Sequence, residues 1–115
     1  MNTIVNRISY IDFINSGAKL AYTSNYCMPN IVDSNKSFID VKNLRHPIIE
    51  KLSKNEIYVP NYVKLGIDKG KNGILLYGIN ASGKSSLMKS IGLAIIMAQA
   101  GLPVACKSFE YKPYH

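Results

Sequence analysis

An α/β fold, in which a strand feeds a glycine-rich loop and the loop opens a helix, is what these 115 residues predict. Three observations predict it. Gly78-Ile79-Asn80-Ala81-Ser82-Gly83-Lys84-Ser85 fits the spacing G-x-x-x-x-G-K-[ST], a P-loop. Small residues there let backbone N–H groups wrap phosphates, a lysine reaches the β and γ oxygens, and a hydroxyl holds magnesium. Before the loop, Ile74-Leu75-Leu76-Tyr77 reads as a short apolar strand of the kind buried on both faces of a parallel sheet. Behind it, Ser86 to Ala100 is rich in Leu, Met, Ile and Ala, and Gly101 with Pro103 supplies a helix stop. That order aims the unpaired N–H groups of a helix start at the position a phosphate would take.

The remaining elements follow from punctuation and periodicity. Residues from about Ile4 to Ala21 have apolar spacing compatible with an amphipathic helix, with Gly17 inside it. Tyr26 to Ser37, broken by Pro29, Asn30, Asp33 and Asn35, reads as an irregular connector. Phe38-Ile39-Asp40-Val41 reads as a strand. Pro47 biases His46 away from helix, and Glu56 to Leu65 supplies one or two short strands interrupted at Pro60-Asn61. Lys69-Gly70-Lys71-Asn72-Gly73 is a turn leading into the loop strand. Gly92 marks close packing of the long helix on the sheet, since an interior glycine costs about 1 kcal/mol against alanine. The chain divides into a helical and connector segment, 1–36, and the N-terminal half of a P-loop domain, 37–115.

Composition bounds the function. The length suits one small domain, and 47% hydrophobic residues without a low-complexity stretch mark a globular chain. A net charge of +7 suits an anionic partner, but the basic residues are scattered and do not alternate with aromatics, so a solvated surface is the better account. Cys27 and Cys106 are too few and too far apart in sequence for a disulfide framework or a zinc cluster, and read as reduced, buried thiols. The N-terminus offers no continuous apolar export core, and the longest apolar run, Ile91 to Ala100, is too short to span a bilayer. An intracellular, soluble protein without a membrane partner is expected. Cytoplasm, nucleoid, nucleus and viral factory are not distinguished.

A P-loop ATPase also needs an acidic residue at the end of a later apolar strand, and commonly a neighbouring carboxylate to orient the attacking water. Glu110 is the sole acidic residue after the loop, in the polar run Lys107-Ser108-Phe109-Glu110-Tyr111-Lys112, and reads as a surface glutamate. The sequence therefore reads as the first half of an ATPase, without its second motif.

Read together, Asn43-Leu44-Arg45-His46-Pro47-Ile48-Ile49-Glu50, Tyr58-Val59-Pro60-Asn61, Gly78 to Ser86 and Ala98-Gln99-Ala100-Gly101 resemble the MutS DNA mismatch-repair ATPases. Leu20-Ala21-Tyr22, Asn25-Tyr26-Cys27 and Pro29 are similar to the segment by which that family's lever helices enter the ATPase domain. The resemblance implies an ABC-type P-loop NTPase fragment with a parallel or mixed sheet and flanking helices. It implies ATP or ADP with Mg2+ as cofactors, Lys84 as the phosphate-binding and catalytic lysine, and Ser85 as the metal ligand. Gly78, Ile79, Asn80, Ala81, Ser82, Gly83 and Ser86 would complete the phosphate hold, with Asn80 near the γ-phosphate. Tyr58 falls where the family sets an aromatic ring against adenine, and Val59 where backbone meets the base edge. Tyr77, Ile79, Ala81 and Ser82 replace the family's usual threonine, proline, methionine and glycine, as in a divergent viral or organellar branch. His46 reads as the cap of a turn near the nucleotide.

The resemblance further implies a homo- or heterodimer formed through the ATPase domain, and mismatched double-stranded DNA bound by domains not in this chain. Hydrolysis by this chain alone is expected to be negligible. Two other readings stay open on sequence: another ABC-type ATPase, and a truncated, non-catalytic nucleotide-binding remnant or interaction module.

Overall fold

The computed structural model describes residues 2–52, 57–66 and 72–114. Among the described residues seven elements follow in chain order: α1 (Asn2–Ser24), β1 (Asn30–Ile31), β2 (Phe38–Leu44), α2 (Ile49–Leu52), β3 (Asn61–Leu65), α3 (Lys84–Gln99) and β4 (Ser108–Lys112). The strands form one mixed sheet in the order β1-β4-β2-β3, with β1 parallel to β4 and β2 antiparallel to both its neighbours. The fold is thus a small α/β domain with a mixed sheet.

β2 is one of the two inner strands, and its side chains explain why. Ile39, Val41 and Leu44 are buried. The step from Val41 to Leu44 is odd, which in a regular strand would turn Leu44 to the opposite face. A bulge corrects this: Val41 pairs with Val63 but Leu44 with Asn61, so one extra residue sits on β2. Asn43 takes it up with φ +54, a conformation asparagine tolerates better than most residues. β4 alternates cleanly, with Phe109 and Tyr111 buried and Glu110 exposed. The Phe109 and Tyr111 rings meet edge to face, 5.5 Å between centroids.

Helix α3 lies on this sheet through small residues. Ser90, Ala94 and Ala98, four apart, are its buried positions, with Leu87, Ile91 and Ile95 packed alongside. The buried Tyr111 hydroxyl donates to Ala98 O at 3.0 Å, tying the helix end to β4. The helix stops as the sequence predicts: Leu102 N–H bonds Met97 O at 2.9 Å, Gly101 N–H bonds Ala98 O at 3.1 Å, and Gly101 has φ +77. That pattern is a Schellman cap, which a glycine favours.

Several expectations need correction. Ile74-Leu75-Leu76-Tyr77 joins no ladder, and Leu75 and Tyr77 are 87% and 88% exposed. A buried parallel strand needs neighbours on both edges and layers on both faces, and among the described residues the sheet draws its strands from elsewhere. β4, which the sequence reading missed, is a strand whose buried face is carried by Phe109 and Tyr111. β1 lies inside the segment read as an irregular connector. β3 occupies only the second half of the Glu56 to Leu65 segment. Glu56 itself, and Lys69, Gly70 and Lys71 of the expected turn, lie outside the described residues. Gly92 has nothing near its missing β carbon, so sheet packing does not explain it.

α1 is longer than expected and is not amphipathic in its contacts. Ile4, Ile8, Ile11 and Ile14 are exposed, and Gly17 is its buried residue. Leu102 and Pro103 would stand 3.5 Å from a β carbon at Gly17, so the helix crosses the turn after α3 at the one position without a side chain. No helix among the described residues is long and apolar enough to cross a membrane.

Gly66, at the end of β3, has φ +84, and a β carbon there would come within 2.6 Å of Ser37 O. Gly66→Ala is therefore expected to cost about 1–3 kcal/mol, through strain and backbone displacement together. Urea denaturation should show the loss as a lower midpoint with an unchanged slope.

Candidate functional site

The residues from Gly78 to Gly83 form a turn that runs directly into α3 at Lys84. Gly78, Ala81 and Gly83 take positive φ values of 155°, 62° and 87°. Glycine adopts such angles at little cost, whereas Ala81 is held there by the turn. Gly83 is the N-cap residue and has no side chain to satisfy the first helical N–H groups. The start of α3 therefore keeps free donors and the positive end of its dipole.

Lys84 folds back over this turn. Its ammonium donates to Gly78 O at 2.7 Å, Ile79 O at 2.5 Å and Ser82 Oγ at 3.3 Å. Two cavities adjoin at this point and share Ser82, Gly83, Lys84 and Ser86. The smaller, about 240 Å³, is lined by Asn80 to Ser86 and includes Ser85. The larger, about 660 Å³, runs from Gly78 and Ile79 to Tyr58 and Val59. Tyr58, Val59 and each residue from Gly78 to Ser86 line one cavity or the other, whereas His46 lines neither.

Three features of the site were missed by sequence reasoning. Ile49, Asn61, Leu76, Tyr77 and Leu87 also line the larger cavity. Ser90, 1% exposed, donates to Ser86 O at 2.7 Å and lies 3.2 Å from the Tyr58 hydroxyl. With its own proton committed to Ser86, Ser90 is left to accept from Tyr58. A lone serine four residues beyond Ser86, inside an apolar helix, was the signal. Asn61 Nδ2 donates to Val59 O at 3.1 Å and so fixes the backbone beside Tyr58.

The Arg45-His46-Pro47 motif is structural. His46 is buried, and its Nδ1 accepts from the N–H groups of Ile48 and Ile49 at 3.3 and 3.4 Å, capping α2. Arg45 bonds Asn25 O at 3.1 Å, pairs with Glu50 at 3.2 Å and lies over the Tyr26 ring at 5.5 Å. The Tyr26 hydroxyl donates to Glu50 at 2.8 Å. Burial, and then this bond to Glu50, push the Tyr26 phenol above its ordinary range, so it stays protonated. The motif thus ties the end of α1 to α2, whose Ile49 borders the larger cavity.

Among the described residues no carboxylate lines either cavity, and no three His, Cys, Asp or Glu side chains gather as metal ligands. The site joins a lysine, hydroxyls and free helix N–H groups to a half-buried aromatic ring, inside a small α/β domain. These donors are of the kind that a helix start offers to an anion.

Comparison with known proteins goes further. No protein-family model matches the chain. A mutS homolog of Acanthamoeba polyphaga mimivirus is 37% identical over a 146-residue alignment that covers 99% of this chain and 13% of the relative. The mitochondrial DNA mismatch repair protein mutS homolog of Sarcophyton glaucum is 40% identical, over 97% of this chain and 11% of its own length. A DNA mismatch repair protein MutS of Prochlorococcus marinus is 42% identical, over 82% and 10% respectively. The chain belongs to the MutS DNA mismatch-repair family. It spans about a tenth of the length of the relatives it matches.

Proposed function

We propose that this chain is the ATP-binding part of a MutS-type DNA mismatch-repair protein, and that the cavities around Lys84 receive ATP or ADP with Mg2+. The observation that carries the reading is that Lys84, Ser85 and the uncapped start of α3 adjoin a cavity bordered by Tyr58. The donor set suits the ligand: an ammonium and backbone N–H groups for phosphate oxygens, a hydroxyl for a hard cation, and an aromatic face for a base.

On this reading Lys84 exchanges its bonds to Gly78 O and Ile79 O for phosphate oxygens, and the loop from Asn80 to Gly83 turns backbone N–H groups toward the same charge. Ser85 is the residue that would hold magnesium, which supplies charge neutralisation between the phosphates. Tyr58, steadied by Ser90, lies along the adenine, and Val59 offers backbone to the base edge. Among the described residues no carboxylate lines the cavities to activate water, and nucleotide binding without appreciable turnover is the expectation for this chain. Mismatched DNA is engaged by other domains of the parent protein, and nucleotide state is coupled to them through a dimer of ATPase domains.

Titration of the chain with a fluorescent ATP analogue in the presence of Mg2+ tests the reading. Saturable binding competed by ATP is expected, weakened roughly five- to hundredfold by Tyr58→Ala, the range a stacked base is worth. A folded chain that shows no binding at millimolar nucleotide would refute it.

A second reading, an interaction module that docks on a partner, is favoured by one observation: the apolar run Ile74 to Tyr77 is exposed without a strand partner. Concentration-dependent self-association without nucleotide binding would support it over the first.

A further inference from the structure

Away from the nucleotide cavities, a third cavity of about 460 Å³ is lined by both cysteines, with Asn25, Tyr26, Arg45 and Lys107 among its walls. We propose that Cys27 and Cys106 are a redox-sensitive dithiol, which a peroxide closes into an intramolecular disulfide joining the exit of α1 to the turn before β4.

The backbone brings the pair together. Cys27 and Val104 exchange both ladder bonds, at 2.9 and 2.8 Å, which sets their α carbons about 5.5 Å apart. In a regular ladder Cys106 would be the diagonal neighbour of Cys27, roughly 7–8 Å away and too far for a disulfide. The chain is not regular there. Cys106 N–H bonds Val104 O at 2.8 Å, a turn centred on Ala105 that shortens the diagonal. Both cysteines accordingly line the same cavity, where the Cys27 thiol donates to Met28 O at 3.3 Å.

The two sulfurs differ in environment, and this orders the reaction. Cys27 is partly exposed to the cavity, whereas Cys106 is 2% exposed. The sequence expectation of two buried thiols therefore holds for Cys106 alone. Cys27 meets the oxidant first. Its thiolate attacks one peroxide oxygen, the O–O bond breaks, and the departing hydroxide takes a proton to become water, leaving a sulfenic acid. The Cys106 thiol then loses its proton and its sulfur attacks Cys27 Sγ. The S–S bond forms, the S–O bond breaks, and the hydroxide leaves as a second water. Two thiols lose two electrons and one peroxide becomes two waters.

Burial foremost, and then the charge of Cys27, push the Cys106 thiol up to about 12 from 9.0, against the opposing pull of Arg45. The second step is therefore slow at neutral pH and accelerates as pH rises toward that value, with Cys27, Arg45, Tyr26 and Lys107 as the titratable or charged groups around it.

The test treats the reduced full chain with hydrogen peroxide, in buffer and in guanidinium, and follows intact mass and free thiols. The expected product is a monomer that has lost two hydrogens and both thiols, formed on the order of tenfold or more faster in buffer. Cys106→Ser should accumulate a Cys27 sulfenic acid that dimedone traps, and Cys27→Ser should leave Cys106 unmodified. Equal rates in buffer and guanidinium, a disulfide-linked dimer as the main product, or a wild-type chain that stops at Cys27 sulfinic acid would each overturn the proposal.

Discussion

Lys84→Ala is expected to weaken ATP and ADP binding by about a hundredfold, while folding stability changes by less than about 1 kcal/mol. The two halves of this expectation have different causes. In the protein the Lys84 ammonium bonds three oxygens of its own exposed turn, where each bond nets about 1 kcal/mol or less because water replaces it readily. Against phosphate the same group makes charge-assisted bonds worth about 1.5–3 kcal/mol each, and two of these exceed a hundredfold in affinity before water recovers part. Lys84→Arg should not restore binding fully, because a planar fork does not fit where a compact ammonium does. Adenosine supplies the internal control: it lacks phosphates, so its weaker affinity should be unchanged by Lys84→Ala. Calorimetric titration of the wild type and both variants with ATP, ADP and adenosine checks the set. An equal loss for adenosine would mean that the variant had damaged the cavity and not the phosphate hold.

How much of this was legible in the sequence depends on whether the information was local. The loop and α3 were, because a turn needing glycine, a lysine at a fixed offset and a glycine stop are all encoded within a few residues of where they act. The grouping of Tyr58 and Val59 with that loop came from the family resemblance, and both residues share a cavity with Lys84. β4 was missed because its buried face is carried by Phe109 and Tyr111 alone, between polar neighbours, so the segment looked like surface. Ile74 to Tyr77 failed in the opposite direction. Its composition suits a doubly buried strand, but composition cannot say whether strands exist on either side of it. α1 shows the same limit: apolar spacing was visible, yet the described chain meets it chiefly at Gly17, the residue that looked like a defect. Cys27 and Cys106 are remote in sequence, and only the ladder between Cys27 and Val104 makes them neighbours.

The largest stability effect is expected at Phe109. Its ring is 2% exposed, its residue pairs with Val41 across β4 and β2, and it belongs to the cluster that also contains Ala94 and Ala98 of α3. Phe109→Ala removes the transfer energy of the ring and leaves a cavity between sheet and helix, a loss of about 3–5 kcal/mol. Small domains have about 5–15 kcal/mol in total, so the variant should melt well below the wild type. Ile57→Ala, at a site 95% exposed, should by contrast fall within about 0.5 kcal/mol. If thermal or urea unfolding gave the two variants similar losses, the sheet and α3 would not be a packed core. On the proposed reading, nucleotide would link this core to the site. Because α3 carries Lys84 at one end and Ala94 and Ala98 against the sheet, a ligand that binds the folded state alone should stabilise Phe109→Ala by about 2.7 kcal/mol at a hundred times its dissociation constant. The same addition should do far less for a Phe109→Ala, Lys84→Ala double variant. Rescue of the single variant but not the double would show that the loop and the core form one cooperative unit. Rescue of neither, in a chain shown to bind nucleotide, would mean that the loop holds its ligand without α3 being folded on the sheet.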